Sequence, residues 1–180
     1  MTFEKGRFYC IRGLNGVGKS TFFDLLSGLY VREYCGNIMF DNSDLRTVNL
    51  KHMRKNLMRI TSQKPVIMDD SLHANLLLGR DTTLEYGAAK YTPNFLAAKS
   101  SSETISASTI SGGEAQIVEL ARSLNSDYDL LLLDEPSNSL DIAAKMRLIE
   151  YIETMKSIKI IIAISHDTDL FRIADHTYDF

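Results

Sequence analysis

The chain has 180 residues, of which 44% are hydrophobic and 24% are charged, values typical of one globular domain. Its formal net charge of −3 gives no electrostatic reason to expect nucleic acid or an anionic membrane surface as a partner. The longest apolar runs, residues 130–133 and 160–164, are far shorter than the roughly 20 residues that a membrane-spanning helix needs.

The first half of the chain alternates predicted strands with predicted helices. In chain order, these elements are a strand over 7–12, a helix over 19–29, a short strand over 37–40, a helix over 50–56 and a strand over 57–61. Cys10 falls in the apolar run of the first strand and is predicted to be a core residue. Cys10 and Cys35 show no metal-type spacing and no disulfide framework, which suits a reducing compartment.

The second half contains two uninterrupted apolar runs. In chain order, its elements are an irregular helical stretch over 71–96, a helix that begins after Gly113, a strand over 129–133, a helix over 142–155, a strand over 159–164 and a helix over 168–174. Strands without alternation are typical of a parallel sheet that is covered on both faces. We therefore predict an α/β fold with a mainly parallel sheet flanked by helices, in which ligands bind beyond the carboxyl ends of the strands.

A glycine-rich turn joins the first strand to the first helix. Residues 13–20 read G-L-N-G-V-G-K-S, which matches the phosphate-binding loop pattern G-x-x-x-x-G-K-[ST] in the expected context. Glycines let backbone N–H groups curve around an anion, and the helix N-terminus adds the positive end of its dipole. We expect Lys19 to bind the β- and γ-phosphates and Ser20 to bind Mg²⁺. The pattern by itself does not distinguish ATP from GTP.

Two acidic residues follow the apolar run of residues 130–133. Strand direction brings Asp134 to the edge of the sheet that carries the P-loop, where its carboxylate is predicted to hold Mg²⁺. Glu135 comes next, and it is predicted to polarise an attacking water as a general base. Pro136 is expected to end the strand.

With these motifs, the chain resembles the nucleotide-binding domain of ABC transporters over nearly its whole length. Besides the P-loop and the acidic pair, four motifs carry the resemblance: the Q-loop glutamine Gln63, the signature Ser111-Gly112-Gly113-Glu114, the D-loop Ser139-Leu140-Asp141 and the switch histidine in Ser165-His166-Asp167. The resemblance implies a P-loop NTPase fold with a small helical subdomain, over about residues 66–125, that carries the signature. The whole chain, residues 1–180, is then one ATP-binding domain.

The resemblance also implies ATP and Mg²⁺ as ligands, ATP hydrolysis as the activity and a role for each motif residue. The catalytic residues would be Lys19, Gln63, Glu135 and His166, and the Mg²⁺ ligands would be Ser20, Gln63 and Asp134. The nucleotide-binding residues would be Gly13, Leu14, Asn15, Gly16, Val17, Gly18, Lys19, Ser20, Thr21, Ser111, Gly112, Gly113 and Asp141. Asp141 also suits the N-cap of the following helix, and we expect it to serve both roles.

The implied partners are a second ABC domain and transmembrane transporter domains. ATP would lie between two chains, identical or different, with the signature of one serving the γ-phosphate bound by the other. Residues 63–79 are most similar to the exporter branch, in which this loop touches the membrane domains. Another chain or segment would supply the membrane-spanning part. We therefore expect a cytoplasmic location at the cytoplasmic face of a membrane, and no nucleic acid as partner.

Three departures from the family keep other functions open. Only twelve residues precede Gly13, so the usual N-terminal aromatic that stacks on adenine is not expected there, and Phe3 and Tyr9 are too close to the P-loop to replace it. Glu114 stands where the signature usually has glutamine, as it also does in non-transport ABC ATPases of the DNA-repair type. The span from Gln63 to Ser111 is short for an exporter. The alternatives are a soluble ABC ATPase acting in DNA repair or assembly, and a module that binds nucleotide but hydrolyses it poorly.

Overall fold

A computed structural model describes residues 1–31, 34–61, 64–77, 102–125 and 127–180. Its centre is a five-stranded sheet in the order β4-β7-β8-β1-β9, in which every neighbouring pair is parallel. The strands are β1 (Arg7–Arg12), β4 (Met58–Thr61), β7 (Leu130–Asp134), β8 (Ile160–Ile164) and β9 (His176–Asp179). The α/β fold with a mainly parallel sheet is therefore confirmed.

Helices cover both faces of this sheet. They are α1 (Lys19–Leu26), α2 (Leu50–Asn56), α3 (Leu72–Leu77), α4 (Gly112–Leu124), α5 (Ile142–Met155) and α6 (Thr168–Ile173). A hydrophobic core lies on each face of the sheet. Residues of β1 contribute alternately to one core and to the other, because successive side chains of a strand point to opposite faces. Phe8 and Cys10 pack with α4, α5 and α6, whereas Tyr9 and Ile11 pack with α1 and α2. Cys10 is fully buried, as predicted.

Helix α1 ends earlier than its apolar pattern predicts. It stops at Leu26 rather than near Leu29, because Gly28 adopts a left-handed conformation with φ of 77°. The Gly28 N–H donates to the carbonyl of Leu25, and the Leu29 N–H donates to the carbonyl of Asp24. This pair of bonds is a Schellman motif, which satisfies the last carbonyls of the helix and turns the chain away.

Two short antiparallel pairs of strands lie beside the main sheet. Strand β2 (Met39–Phe40), which falls within the strand predicted over 37–40, pairs with β3 (Ser43–Asp44), and β5 (Asp70–Ser71) pairs with β6 (Thr104–Ile105). Strands β3, β5 and β6 were not predicted, because each is only two residues long and carries too little periodicity to be recognised. Strand β9 was also not predicted, because most of its side chains are exposed and it lacks an apolar run.

Helices α3 and α4 pack on each other beside β4. Arg122 of α4 forms a buried ion pair within its own helix and also links it to α3: its guanidinium donates to the Glu119 carboxylate at 2.6 Å and to the carbonyl of Asn75 at 2.8 Å. The helical subdomain over about residues 66–125 stays a prediction, because residues 78–101 lie outside the described part. Within the part of the chain that is described, no helix is both long enough and apolar enough to cross a bilayer.

Candidate nucleotide site

The carboxyl ends of β1, β7 and β8 bring the predicted phosphate-binding and acidic motifs together. The P-loop follows β1, Asp134 and Glu135 stand at the end of β7, and His166 follows β8 by two residues. The register pairs Ile164 of β8 with both Ile11 of β1 and Asp134 of β7, so the three strands end at the same level. The structure therefore places these predicted motifs at one edge of the sheet.

Lys19 lies inside the turn that the P-loop makes. Its side chain is buried, and its ammonium donates to the carbonyl of Gly13 at 2.7 Å and to that of Leu14 at 3.0 Å. Gly18 precedes the helix in a left-handed conformation, with φ of 107° and no side-chain cap. The first N–H groups of α1 therefore have no side-chain acceptor at the N-cap, which suits an anion beside a buried cation.

A cavity of about 230 Å³ lies over this loop. Its lining residues come from the P-loop and from the acidic strand end: Asn15, Gly16, Gly18, Lys19, Ser20, Thr21, Glu135 and Ile164. Glu135, which follows β7, thus lines the same cavity as the P-loop residues Lys19 and Ser20.

Ser20, which lines the cavity, contacts the side chain of Asp134. The Ser20 hydroxyl donates to the Asp134 carboxylate at 3.4 Å, and the Asp134 N–H is held by the Thr61 hydroxyl at 3.0 Å. Hydroxyl and carboxylate oxygens are the donors that Mg²⁺ prefers, usually completed by water and substrate phosphates. Among the described residues there is no cluster of three or more His, Cys, Asp or Glu side chains that would hold a metal alone. The Ser20 hydroxyl and the Asp134 carboxylate are oxygen ligands of the kind that Mg²⁺ takes, and they lie close enough to contact one ion.

Glu135 is buried at the cavity wall in a strained backbone conformation. Its φ is 47°, in the left-handed region that a non-glycine residue rarely adopts, and its N–H donates to the carbonyl of Ile164 at 2.9 Å. Glu135 Oε1 lies 3.6 Å from Nε2 of His166. Burial raises the pKa of Glu135 above its ordinary value, and the neighbouring His166 opposes this rise. A carboxylate with a raised pKa is a stronger base.

The loop that carries His166 is tied to helix α5 by Lys145. The Lys145 ammonium lies 2.8 Å from the Asp167 carboxylate and 2.7 Å from the Asp169 carboxylate. Burial alone would raise the pKa of Asp167, but bonds from Lys145, from the Asp169 N–H and from the Ser137 hydroxyl hold that pKa below its usual range. Sequence reasoning missed this contact, since no local pattern links Lys145 to the switch histidine.

The signature segment forms the first turn of α4. The Ser111 hydroxyl accepts from the Glu114 N–H at 3.2 Å, while the Glu114 carboxylate accepts from the Ser111 N–H at 2.7 Å. This capping box gives Glu114, the residue that departs from the family pattern, a structural role within its own chain. The sequence pattern S-x-x-E would have revealed it.

Gly113 packs directly on the loop that follows β7. A Cβ atom added to Gly113 would lie 2.5 Å from the carbonyl oxygen of Ser139, whereas one added to Gly112 would meet nothing within 4 Å. Ser139 has a left-handed φ of 62°, and Asp141 caps helix α5 by accepting from the Ala144 N–H at 2.7 Å. The N-cap role predicted for Asp141 is therefore observed.

A larger cleft of about 800 Å³ lies beside the P-loop cavity. Ser111 and Gly112 line it together with Glu135, His166 and Asn15. The remaining predicted site residue, Gln63, lies outside the described residues, although Lys64 and Pro65 reach the same cleft. The predicted residues that the structure describes thus all lie at the carboxyl edge of the sheet or on the turn of α4 that faces it.

Known proteins resemble this chain over most of its length. The sequence profile of the family described as "ABC transporter" matches residues 1–138, more than half of the chain. The chain belongs to the ABC transporter family. A putative export ATP-binding/permease protein of Rickettsia bellii is 32% identical to this ABC domain over 96% of the chain, and P-glycoprotein 14 of Caenorhabditis elegans is also 32% identical over 96% of the chain. The ABC domain spans 31% of the first relative and 14% of the second.

Among solved structures, a bacterial Atm1-family ABC exporter with ATP bound superposes on this ABC domain with a TM-score of 0.87 and 25% sequence identity. The match covers 99% of the chain and 33% of the exporter chain. The P-loop NTPase fold predicted from the motifs is therefore confirmed, and family membership carries ATP binding with it.

Proposed function

We propose that this chain is the ATP-hydrolysing domain of an ABC exporter. The observation that carries the proposal is the position of Glu135: a buried carboxylate, 3.6 Å from His166, on the wall of a cavity that Lys19 and the P-loop otherwise form. A site that only binds nucleotide has no need of a buried, strained acid at this point. This arrangement weighs against the module that binds nucleotide but hydrolyses it poorly.

In this proposal the P-loop residues 13–21 hold the phosphates. The N–H groups at the start of α1 and the Lys19 ammonium bind phosphate oxygens, and these oxygens replace the carbonyls of Gly13 and Leu14 as partners of Lys19. Ser20 and Asp134, with Gln63, would hold Mg²⁺, which supplies charge neutralisation on the β- and γ-phosphates when bound.

Hydrolysis requires a water oriented toward the γ-phosphorus. The Glu135 carboxylate accepts a proton from this water as the oxygen attacks, the bond between the γ-phosphorus and the leaving β-phosphate oxygen breaks, and ADP and phosphate result. His166 stands beside Glu135 and is placed to donate a hydrogen bond to the γ-phosphate or to orient the water. Lys145 keeps His166 there by holding the two acids that follow it, Asp167 and Asp169.

We further propose that the site is completed by a second ABC domain. Ser111 and Gly112 are exposed at the N-terminus of a 13-residue helix, and the capping box leaves the Ser111 hydroxyl hydrogen able to donate. Such a helix end suits the γ-phosphate of ATP bound to the partner domain. Gly113 and Asp141 would lie next to this contact and stabilise it.

The exporter assignment draws its support from the relatives. The Rickettsia protein and the structural neighbour are both named for export, and no relative reported above is named for DNA repair or assembly. They therefore do not favour the soluble alternative. An exporter domain would work at the cytoplasmic face of a membrane, with transmembrane domains as its second partner.

The test uses Glu135→Gln and, as matched control, Lys19→Ala. The Glu135→Gln protein should bind ATP but hydrolyse it at least about 10²-fold more slowly. In light scattering it should form a dimer only with ATP and Mg²⁺. Lys19→Ala should bind no ATP and remain a monomer. Undiminished turnover in Glu135→Gln would show that another group is the base. A monomer under all conditions would remove the two-domain site.

A further inference from the structure

We propose that Arg122 is a positioning residue for the two-domain site, because it binds the helix that carries the signature to a second segment that lines the same cleft. The inference rests on the proposed function, in which the signature turn contacts the nucleotide held by a second copy of the chain. Arg122 itself lines neither the P-loop cavity nor the cleft. It is a buried charge that the proposed hydrolysis does not use.

Two stretches of chain that are far apart in sequence contribute to the cleft of about 800 Å³. Helix α4 contributes its first turn with Ser111 and Gly112, and the segment that follows β4 contributes Lys64, Pro65 and Ile67. No short loop joins the two stretches, so contacts through space set the distance between them. The surface that a second copy would meet therefore depends on what links α4 to this segment.

Arg122 makes this link with the three nitrogens of its guanidinium, and its side chain is only 2% exposed. Nη1 donates to the Glu119 carboxylate at 2.6 Å, Nε donates to the carbonyl of Asn75 at 2.8 Å, and Nη2 donates to the carbonyl of Val66 at 3.1 Å. Val66 lies between Pro65 and Ile67, so this last bond holds the segment that lines the cleft. A planar guanidinium fixes the directions of all three bonds together.

The bond to Asn75 extends the link to the residues that follow the cleft segment. Asn75 is fully buried, and its side-chain oxygen accepts from the Met68 N–H at 2.9 Å. Its side-chain nitrogen donates to the carbonyl of Met68 at 3.0 Å and to that of Ser71 at 3.1 Å. Arg122 thus binds the cleft segment twice, directly at Val66 and through Asn75 at Met68.

Arg122 also shares a face of α4 with a residue of the cleft lining. Ala115, Glu119 and Arg122 follow one another at spacings of four and three, which places them in one row along the helix. A helix of 13 residues moves as a unit, so the bonds of Arg122 near its end also limit movement of the signature turn at its start. The signature turn and the cleft segment are therefore held as one surface.

This role can be separated from a contribution to stability. An ion pair in the interior stabilises a fold only weakly, because the loss of hydration of its two charges offsets most of their attraction. Apolar side chains in place of both Arg122 and Glu119 should therefore preserve folding. They cannot donate to the carbonyls of Val66 and Asn75, so the variant keeps the fold and loses the link.

The test uses the Glu135→Gln chain as its reference, since this chain should form a dimer with ATP and Mg²⁺. Arg122→Met and Glu119→Leu are added together. The urea midpoint and the ATP affinity of the monomer should stay close to the reference values. Changes in networks that connect two sites alter their coupling by about 2- to 30-fold, and each dimer contains two such links, so we expect the dissociation constant of the ATP-bound dimer to rise at least about tenfold in light scattering.

Two single variants of the reference serve as controls. Arg122→Lys keeps a positive charge beside Glu119 but replaces the three-nitrogen fork by one ammonium, so it should weaken the dimer as well. Arg59→Met removes the other cation near Glu119, which lies 3.7 Å away and is 25% exposed. Arg59 is not bonded to Val66 or Asn75 in the described part of the chain, so its loss should leave the dimer dissociation constant within about twofold.

Each outcome decides the matter. An unchanged dimer dissociation constant in the double variant would overturn the inference, as would full dimer formation by Arg122→Lys or an equal loss in Arg59→Met. A large fall of the urea midpoint in the double variant would assign Arg122 to folding alone and would overturn it too. In these cases the reference still dimerises with ATP, so the proposed function stands. A reference that stays monomeric with ATP and Mg²⁺ would remove the two-domain site, and the inference would fail with it.

Discussion

The contact between Gly113 and Ser139 makes a sharp prediction about two adjacent glycines. Both stand in the first turn of α4, and neither has a left-handed φ. Gly112→Ala adds a methyl group that meets no atom within 4 Å, whereas Gly113→Ala adds one 2.5 Å from the Ser139 carbonyl oxygen. Real Cβ atoms essentially never approach closer than 3.0 Å. The helix or the loop must therefore move by at least about 0.5 Å, since backbone cannot rotate away as a flexible side chain does.

The magnitudes follow from two opposing effects. Replacing glycine by alanine in a helix stabilises the protein by at most about 1 kcal/mol, and this gain applies to both variants. Overpacking costs about 1–3 kcal/mol, and it applies to Gly113→Ala alone. We therefore expect Gly112→Ala to match or exceed the unaltered chain in stability. Gly113→Ala should fall below Gly112→Ala by about 1–3 kcal/mol, or by roughly 2–12 °C in melting temperature for a domain of this size.

The assay is urea denaturation of both variants without nucleotide, so that ligand binding and dimer formation do not contribute. The slope of the free energy against urea should stay the same, because the surface exposed on unfolding is unchanged. If Gly113→Ala is as stable as Gly112→Ala, α4 does not rest on the Ser139 backbone. The rigid connection between the signature and the loop after β7 would then be refuted.

Three further perturbations test other parts of the chain. Arg122→Met should lower the free energy of unfolding by about 3 kcal/mol, because it removes the closer of the two guanidinium groups that pair with the buried Glu119 carboxylate and leaves only Arg59, at 3.7 Å. A double variant that also carries Glu119→Leu should recover most of this loss in urea denaturation, and no recovery would contradict the reasoning. Cys35 is exposed and should react with a thiol reagent in the native protein. Cys10 is buried, which raises the pKa of its thiol to about 12, so it should react only on unfolding. Equal reaction rates of the two thiols in the native protein would count against the burial of β1. Glu135→Gln should raise the melting temperature more at about pH 7 than at about pH 4. The pKa of Glu135 is raised in the folded protein, so the unaltered chain loses stability as Glu135 ionises with rising pH, and glutamine does not ionise. An increase in melting temperature that is the same at both pH values would show that the pKa of Glu135 is not raised.

The parallel sheet and the P-loop were predictable because each depends on residues close in sequence. Uninterrupted apolar runs predicted β7 and β8 to within one residue at each end, since burial on both faces leaves no polar position. Strand β9 was not predictable from an apolar run, because it has none. It lies at the edge of the sheet, most of its side chains are exposed, and what defines it as a strand is its pairing with β1. Edge pairing is a tertiary property that a local pattern does not record.

The site shows the same division. The motifs predicted which residues meet at the sheet edge, but they did not predict what holds them there. The Lys145 bridge to Asp167 joins residues 22 positions apart, and the Gly113 contact with Ser139 joins residues 26 positions apart. No periodicity or motif spans such distances. The Glu114 capping box is the exception, because its pattern is local and was available in the sequence.

These supports connect the two halves of the proposed site within one chain. Residues 135–139 form a short turn with left-handed, non-glycine residues at both ends, Glu135 and Ser139, and such residues persist only where their surroundings hold them. Ser139 bears on Gly113 of α4, and Glu135 bears on the nucleotide cavity. In the proposed two-domain site, a partner that contacts the signature turn would therefore bear on the same five-residue turn that carries Glu135, the proposed general base.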